Sequence, residues 1–322
     1  MSETIMPDTV CAAFWKHINV RSDNMVYACC RYKTPVMPFD GDLEKVLHSP
    51  AWQQLRQDSR AGVANPNCQK CYDAVDSSMN LQSEFNHSYS TDSVSLEFLE
   101  IGLDNICNLT CVGCSPEFSS AWADQASPDT RRINIRSTAE IESVPDSVRR
   151  LLFLGGEPLM TNRHRRFLDL VPRPSQVSVV YNTNGTFLLD HATIDRLSQF
   201  SSVKFIVSID GLADLNTVVR PGSDWQQILC FIQQIRSLGH ALEINTVIHS
   251  RNYFGIVDLA QFAQHENIPQ RVNILTYPAH LDIRYLENTQ LTEFAQQLSQ
   301  CQYTWADTVL RYIKNFAPVV EW

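Results

Sequence analysis

No stretch of the 322-residue sequence approaches the roughly 18 continuous apolar residues that a membrane span needs. The first ten residues contain Glu3 and Asp8 and lack a basic region followed by a long apolar one, so no signal peptide is expected. Repeats and polar low-complexity tracts are also missing, which argues against disorder. These absences predict a folded, cytoplasmic protein.

An excess of basic residues is missing as well. The chain has 26 Lys and Arg against 35 Asp and Glu, a net charge of −9. This balance argues against a nucleic-acid partner and against an anionic membrane surface. The short basic run Arg163-His164-Arg165-Arg166 is expected to be the solvated face of a helix.

Cysteine, in contrast, is abundant. In a reducing compartment, clustered thiols usually bind metal or take part in catalysis rather than form disulfides. Cys230 and Cys301 stand alone and are expected to be small buried residues on helices. The other eight of the ten cysteines are clustered: Cys11, Cys29, Cys30, Cys68, Cys71, Cys107, Cys111 and Cys114.

The fold class is predicted from an alternation that begins near Ser95. Short apolar runs rich in β-branched residues alternate there with helical stretches, as in a parallel sheet with crossover helices. Six strands are recognisable rather than eight, so we predict an α/β fold with a partial (β/α)6 TIM-like barrel. The predicted strands are 96–102, 150–154, 177–182, 203–209, 242–248 and 271–275, and the predicted helices between them include 163–170, 191–199, 225–238 and 257–265.

Three parts of the chain are expected. Residues 1–90 carry paired cysteines and a helix predicted over 43–60, but they are too few to build a large core and would need a bound metal or cluster. Residues 91–285 form the barrel. Residues 286–322 form a helical segment, with one element predicted over 291–316 that packs against the barrel.

Unusual motifs follow the ends of the predicted strands, where α/β barrels carry their chemistry. Cys107 follows the first strand. The runs after the second, third and fourth strands are Gly155-Gly156-Glu157-Pro158, Asn182-Thr183-Asn184-Gly185 and Ser208-Ile209-Asp210-Gly211. This shared position is stronger evidence for a functional site than any one of the motifs.

The thiols of Cys107, Cys111 and Cys114 lie in one tight loop and can converge on one metal centre. Soft thiolates favour an iron–sulfur cluster or zinc. A structural zinc site normally has four protein ligands, whereas a cubane held by three cysteines leaves one iron open to a substrate or cofactor. No fourth cysteine is near these three in the sequence, and the open iron is the chemically useful feature.

The run from Cys107 to Cys114 resembles the CxxxCxxC signature of radical S-adenosylmethionine (SAM) enzymes, and the Gly-Gly-Glu-Pro after the next strand strengthens the resemblance. The resemblance implies a [4Fe–4S] cluster whose open iron binds the methionyl amino and carboxylate groups of SAM. It also implies reductive cleavage of SAM to a 5′-deoxyadenosyl radical that abstracts hydrogen from a substrate. Gly113 departs from the pattern, because many members carry an aromatic residue there that contacts adenine; its backbone remains as a candidate contact.

Further SAM contacts are implied by the same resemblance. The backbone of Gly155, Gly156 and Glu157, followed by Pro158, would meet the methionine amino group, which a glycine backbone can approach closely. Asn182, Asn184, Ser208, Asp210 and Thr246 match positions that face the ribose or the carboxylate. Turn formation is the alternative for the Asn and Asp residues, and a satisfied buried hydrogen bond is the alternative for Thr246 and its neighbour Asn245. No catalytic side chain is identified.

The N-terminal cysteines supply enough thiolates for a complete four-ligand site, with the Cys68-x-x-Cys71 pair as its most recognisable half. This part resembles the twitch module of radical SAM enzymes, placed before the barrel. The resemblance implies an auxiliary [4Fe–4S] cluster with Cys11, either Cys29 or Cys30, Cys68 and Cys71 as ligands, and Cys29 is favoured over Cys30. Zinc has the same ligand chemistry and stays an alternative.

A fully ligated auxiliary cluster has no open iron, so electron transfer is its expected role. The expected activity is that of a radical SAM oxidoreductase-type enzyme whose net reaction is an oxidation, a crosslink or an epimerisation. Its expected partners are SAM, a small-molecule or peptide substrate, and a reductant such as flavodoxin or ferredoxin. The alternative is a non-catalytic iron–sulfur or zinc protein for electron transfer or interaction, which would not need the Gly-Gly-Glu-Pro motif.

Overall fold

The computed structural model describes residues 9–72, 80–122 and 136–316. The chain divides into two compact units. Among the described residues, unit 1 contains 9–72, 80–106, 136–181 and 190–203, and unit 2 contains 107–122, 182–189 and 204–316.

Unit 1 is built on a sheet with the strand order β3-β2-β1-β4-β5-β6. β1 pairs in parallel with β4, β4 with β5 and β5 with β6, whereas β2 pairs antiparallel with both β1 and β3. The chain therefore enters the parallel part of this sheet through a strand that precedes β4 by about 80 residues. The strands are β1 (His17–Val20), β2 (Met25–Tyr27), β3 (Met37–Pro38), β4 (Phe98–Gly102), β5 (Arg150–Leu154) and β6 (Ser178–Thr183).

The helices of unit 1 are short, and four of those described have a side-chain N-cap. Ser49 caps α3 by accepting from the Trp52 amide, and Pro50 occupies its first turn. Because the residue before a proline is disfavoured in helical conformation, the single helix predicted over 43–60 is wrong and two helices stand there. The helices are α1 (Ala13–Lys16), α2 (Leu43–His48), α3 (Pro50–Arg60), α4 (Gln69–Tyr72), α5 (Leu81–Ser88), α6 (Arg163–Leu168) and α7 (His191–Leu197), with 3-10 turns at Pro66–Cys68 and Pro174–Gln176.

Unit 2 contains three parallel strands, β7 (Ser202–Ser208), β8 (Ala241–Ile248) and β9 (Gln270–Ile274), in the order β7-β8-β9. Two residues at the start of β7 are assigned to unit 1, and the last two residues of β6 are assigned to unit 2. The helices are α8 (Ala213–Val219), α9 (Trp225–Ser237), α10 (Ile256–His265), α11 (Asn288–Ser299) and α12 (Ala306–Phe316), with 3-10 turns at Tyr253–Gly255, Ala279–Leu281 and Ile283–Tyr285.

The C-terminal region is two helices rather than the one element predicted over 291–316. Apolar residues of α11 and α12 pack into one core with Ile248 and Ile256. The members contributed by these helices are Leu291, Phe294, Leu298, Ala306, Val309 and Ile313. This confirms that the apolar positions of the segment serve the core of unit 2.

The predicted α/β class, with parallel strands that alternate with helices from β5 to β9, is confirmed. Each of the six predicted strands overlaps an observed one, and their ends agree within two residues. The division at residues 90 and 285 stays a prediction. No helix in the described ranges is long and apolar enough to cross a membrane.

Candidate functional site

The cysteine loop of unit 2 is anchored to the end of α8. The amide of Thr110 donates to the Pro221 carbonyl at 3.1 Å, and the amide of Val112 donates to the Val219 carbonyl at 2.9 Å. These two main-chain bonds hold the middle of the loop, so its backbone is preorganised before any cofactor binds.

The three thiols of this loop lie close together. The pKa of Cys114 is raised to about 12, chiefly by burial and in addition by the neighbouring thiolates of Cys111 and Cys107. The Cys114 amide donates to the Cys111 carbonyl at 3.0 Å and closes a turn between these two residues. Three soft donors that disfavour one another's charge are a donor set that a cationic iron–sulfur core would stabilise.

The described residues do not contain three His, Cys, Asp or Glu side chains already arranged around a single metal ion. In a cubane, each thiolate binds a different iron, so the ligand set differs from that of a single ion. On donor chemistry, the loop fits the three-cysteine cluster that its sequence predicts.

Asn184 supports the first cysteine of the loop. Its Nδ2 atom donates to Asn108 Oδ1 at 2.9 Å and lies 4.0 Å from the Cys107 sulfur. The hydroxyl of Thr186 donates to Asn184 Oδ1 at 2.7 Å, and Asn184 is buried. The end of β6 is thereby tied to the cysteine loop. Asn182 is half-buried and accepts a long hydrogen bond of 3.5 Å from Ser208.

Arg220 is a residue of this site that sequence reasoning missed. Its Nε donates to Asp210 Oδ2 at 2.7 Å, and its Nη1 lies 3.7 Å from Cys111 Sγ. Burial alone would lower the pKa of Arg220, but the charges of Asp210 and Cys111 raise it on balance. The guanidinium therefore places a permanent positive charge at the cysteine loop. An arginine at a helix end before Pro-Gly carries no local signal of this role.

Asp210 and Thr246 are occupied by internal hydrogen bonds. Asp210 Oδ1 accepts from the Val247 amide at 2.7 Å while Oδ2 accepts from Arg220. The Thr246 hydroxyl donates to the Ile209 carbonyl at 2.8 Å, and Thr246 is fully buried. Asp210 thus has the hydrogen bonds expected of a residue that shapes a turn, and Thr246 has the satisfied buried hydrogen bond that was its structural alternative to SAM binding. Contacts of either residue with SAM stay predictions.

The Gly-Gly-Glu-Pro segment lies in unit 1 and is held by the residues that immediately precede Cys107 in the chain. The Gly156 amide donates to the Asp104 carbonyl at 3.0 Å, and the Glu157 amide donates to the Ile106 carbonyl at 2.8 Å. A Cβ atom on Gly156 would meet the Ile106 oxygen at 2.3 Å. Gly155 has φ +131°, and a Cβ atom there would meet the Asp104 oxygen at 2.4 Å. Both positions therefore require glycine.

The amides of Gly156 and Glu157 are used as donors within unit 1. An ammonium group is also a donor, so only carbonyl oxygens of the segment could accept from it, and the Glu157 carbonyl already accepts from the Met160 amide at 3.1 Å. The Glu157 side chain is fully buried and accepts from the Leu159 amide at 3.1 Å, and Pro158 is buried as well. These two side chains shape the turn from within.

Four N-terminal cysteines of unit 1, Cys11, Cys29, Cys68 and Cys71, line one cavity. Burial raises the pKa of Cys11, and Cys29, Cys68 and Cys71 add to the rise as neighbouring charges. Burial likewise raises the pKa of Cys29 to about 12 and that of Cys68 to about 11. Four thiols around one cavity, with Cys71 buried and the other three half-buried, fit a four-ligand metal centre. Between the thiols, the cavity wall is formed by Phe14, Leu81 and Phe85 among others.

The structure separates Cys29 from its neighbour Cys30. Cys29 lines the cavity and packs against the apolar cluster of Ala12, Ala13, Phe85 and Phe98, whereas Cys30 is exposed and is not among the residues that line the cavity. This position in the cavity lining supports the preference for Cys29 over Cys30 that the sequence resemblance implies.

A buried polar group beside this cavity was not predicted. Asn19 Nδ2 donates to Glu100, and His17 Nε2 lies 3.7 Å from Glu100 Oε2. The pKa of Glu100 is lowered because His17 and Asn19 together outweigh its burial, which acts in the opposite direction. His17 Nδ1 lies 2.9 Å from the carbonyl of Ala28, the residue before Cys29. The polar residues His17 and Asn19, at alternate positions of β1, were the sequence signal that could have indicated this buried group.

Comparison with protein-family models finds no match. Several curated relatives are named GTP 3′,8-cyclase. That of Alkaliphilus oremlandii is 22% identical over 236 residues, which cover 70% of this chain and 66% of the relative. That of Listeria monocytogenes serovar 1/2a is 26% identical over 183 residues, which cover 53% of this chain and 52% of the relative. A probable GTP 3′,8-cyclase of Sulfolobus acidocaldarius is 24% identical over 246 residues, which cover 69% and 74%. The chain thus spans between half and two thirds of the length of the first relatives it matches.

Solved structures with a similar chain trace include native anSMEcpe with bound AdoMet, with a TM-score of 0.47 and 16% identity over 68% of this chain and 63% of that one. Streptococcus suis SuiB bound to S-adenosylmethionine has a TM-score of 0.41 and 14% identity, with 67% of this chain and 44% of that one covered.

Proposed function

We propose that this chain, which belongs to the radical SAM superfamily, cleaves SAM reductively at a [4Fe–4S] cluster held by Cys107, Cys111 and Cys114. When bound, that cluster supplies the electron that converts SAM to methionine and a 5′-deoxyadenosyl radical. The observation that carries the proposal is the grouping of the three thiols on a loop that α8 anchors and that Arg220 faces. The permanent charge of Arg220 stabilises an anionic cluster at this loop.

The residues proposed to bind SAM divide by chemistry. The carbonyl groups of Gly155, Gly156 and Glu157, with Pro158 completing the turn, accept from the methionine ammonium. The close backbone approach of this turn to Asp104–Ile106 supports the assignment, since it turns the amides inward. A second set of groups hydrogen-bonds the ribose, carboxylate or adenine of SAM. It consists of the Gly113 backbone and the side chains of Asn182, Asn184, Ser208, Asp210 and Thr246.

The second part of the proposal is an auxiliary [4Fe–4S] cluster held by Cys11, Cys29, Cys68 and Cys71. The four thiols around one cavity support it. Four protein ligands leave no open iron, so this cluster accepts or relays an electron rather than binding substrate. The apolar walls of the cavity exclude water from such a centre, and exclusion of solvent is one of the levers on its potential.

Substrate and net reaction are proposed only by class. The net reaction is an oxidation, a crosslink or an epimerisation of a small-molecule or peptide substrate, with an electron donor such as flavodoxin or ferredoxin. The relatives act, by their names, on GTP. We do not extend that substrate to this chain, because the chain spans only part of their length.

Anaerobic reconstitution tests the proposal. The protein should take up about eight iron atoms per chain, as two cubanes require, and should release 5′-deoxyadenosine from SAM when reduced. A Cys107→Ala, Cys111→Ala, Cys114→Ala triple variant should lose about half of the iron and all SAM cleavage. Cys230→Ala is the matched control, because this exposed cysteine lies on α9 and should leave both readouts unchanged.

Two results would contradict the proposal. Cleavage retained by the triple variant would show that the SAM-binding cluster is held elsewhere. Binding of zinc in place of iron, with no SAM cleavage, would favour the non-catalytic metal protein instead.

A further inference from the structure

One face of the β7–β9 sheet in unit 2 is polar at alternate residues. The opposite face carries Phe205 and Ile244, which are fully buried, and Phe205 packs edge-on against Phe231 of α9. Parallel strands covered on both sides normally read as continuous apolar runs, so a polar face opposite the helices is one that meets water or a ligand. Its polar members are Lys204, Ser208, Glu243, Asn245, Arg271 and Asn273, and the same face also carries the apolar residues Ile206 and Val247.

The strand register aligns part of this face with the proposed SAM site. Ser208 pairs with Asn245, and Asn245 pairs with Arg271, so these three residues form one row across the sheet. Directly paired residues of a sheet point to the same side. Arg271 therefore stands at the level of Ser208, one of the residues proposed to contact SAM.

The same strand leads to the cysteine loop. Leu275 follows β9, and its Cδ2 atom would lie 3.2 Å from a Cβ atom on Gly113. The Leu275 amide donates to the Ile248 carbonyl at 2.9 Å, which continues the pairing beyond the end of β9. At roughly 3.3 Å per residue, Asn273 lies about 7 Å and Arg271 about 13 Å along the strand from this contact. A substrate that binds at Arg271 and extends this distance along the strand would reach the loop.

Arg271 carries charge that its neighbours do not cancel. Its Nε atom lies 3.1 Å from Glu243 Oε1, and the same carboxylate accepts from Lys204. One carboxylate therefore serves two cations, which leaves this group with a net charge of about +1. The Arg271 side chain is 61% exposed, against 37% for Lys204 and 9% for Glu243, so the guanidinium is the most accessible of the three groups.

Asn245 and Asn273 add a neutral hydrogen-bonding edge. Asn273 Nδ2 donates to Asn245 Oδ1 at 2.8 Å, and this bond fixes the two amides relative to each other. The bond uses one donor and one acceptor. An amide donor on Asn245 and a carbonyl acceptor on Asn273 remain to recognise a ligand. Because Asn273 is exposed and Asn245 half-buried, this edge is accessible beside Arg271.

We propose that Arg271 and the Asn245–Asn273 pair form a substrate-binding subsite for an anionic group, either a carboxylate or a phosphate. The planar fork of a guanidinium matches both anions in a bidentate geometry, and the amide pair recognises a polar group next to the anion. The proposal rests on the proposed function, since it places the substrate of the radical reaction on the β7–β9 face. Glu243 orients Arg271 and at the same time limits its affinity for anions.

Binding of inorganic phosphate and of acetate to the reconstituted, SAM-loaded protein tests the subsite. Calorimetric titration in a phosphate-free buffer should show binding of at least one of the two, and the anion that binds identifies the source. Arg271→Gln should weaken that binding about tenfold or more, because a hydrogen bond to a charged group contributes roughly 1.5–3 kcal/mol. Arg236→Gln is the matched control: this arginine also pairs with a glutamate, Glu266, but lies on α9 away from the row.

A variant that should strengthen anion binding separates a specific effect from a general loss of structure. Glu243→Gln removes the shared carboxylate while keeping its shape, so it should strengthen anion binding severalfold. Weaker anion binding by Glu243→Gln would overturn the subsite. Binding of both anions that is unchanged in Arg271→Gln would overturn it too. Failure of both anions to bind would overturn it as well.

Location is tested separately by nuclear relaxation. With the clusters reduced, bound phosphate should show enhanced ³¹P relaxation, or acetate enhanced ¹H relaxation, that the Cys107/Cys111/Cys114 triple variant loses while calorimetric binding persists. Unchanged relaxation in the triple variant would place the anion away from the loop and overturn the subsite. Because calorimetry needs no SAM cleavage, loss of cleavage with intact Arg271-dependent binding would defeat the proposed function alone.

Discussion

The guanidinium of Arg220 donates from Nη1 to the sulfur of Cys111 across 3.7 Å. A hydrogen bond and a positive charge at a cluster thiolate both favour the reduced form of the cluster, which carries one more electron. Arg220 thus links the turn after β7, through Asp210, to the electronic properties of the proposed cluster.

Replacing Arg220 should lower the reduction potential of the SAM-binding cluster. Arg220→Met removes both charge and donor, and we expect a shift on the order of 50 mV to more negative values. Arg220→Lys keeps the charge and should shift the potential less. Spectroelectrochemical titration followed by electron paramagnetic resonance measures both. Since Arg220→Met also leaves Asp210 as an unpaired buried charge, its unfolding should be compared with that of Arg220→Lys. Equal potentials in all three proteins would exclude this role.

Cys29 and Cys30 should differ in their effect on iron content. Cys29 lines the cavity shared by Cys11, Cys68 and Cys71, and Cys30 does not. After anaerobic reconstitution, Cys29→Ser should hold about four iron atoms per chain and Cys30→Ser about eight, as loss or retention of one cubane requires. Iron analysis of the two variants decides the ligand. The reverse pattern would assign the ligand to Cys30.

Gly155 should tolerate no side chain. Gly155→Ala combines a positive φ with a contact at 2.4 Å to backbone, whereas Gly239→Ala has a positive φ with nothing within 4 Å of the added Cβ. The control should cost about 1 kcal/mol of unfolding free energy from the backbone conformation alone. Gly155→Ala should cost several-fold more or displace the turn and weaken SAM binding. Denaturant unfolding and SAM titration measure both effects, and equal losses in the two variants would contradict the steric argument.

His164 should make stability depend on pH. It is buried with its Nδ1 atom 2.9 Å from the Tyr181 hydroxyl, and burial, helped by Arg165, lowers its pKa from 6.5 to about 4. The unfolded chain therefore takes up a proton on this residue at higher pH than the folded chain does. Stability that is present above pH 6.5 is lost as the pH falls toward 4, and the loss between pH 7 and pH 5 should be about 2 kcal/mol.

His164→Gln removes this titration and keeps a hydrogen-bonding group for Tyr181. Its unfolding free energy should fall less than that of the unchanged protein between pH 7 and pH 5, as measured by denaturant unfolding at both values. If the two proteins lose the same stability over this range, His164 is not the responsible group.

The strands from β4 to β9 could be predicted because each is a dense apolar run bounded by turn residues, a local pattern that needs no knowledge of the fold. The break at Ser49-Pro50 was also available locally, since a serine before proline is a helix start. β1 was not predicted: its four residues include His17 and Asn19, and it becomes a strand through pairing with β4, a contact made across about 80 residues.

The candidate site, like the fold, has features that short sequence segments encode and features that only tertiary contacts produce. The spacing of Cys107, Cys111 and Cys114, and the glycines that follow β5, are encoded within short segments, so the sequence by itself determined the radical SAM signature. The tertiary structure alone decided that Cys29 rather than Cys30 lines the cavity, that Arg220 faces Cys111 from 109 residues away, and that Arg271 shares a row with Ser208. These relationships depend on strand register and on which face of an element is buried, and neither is set by neighbours in the chain.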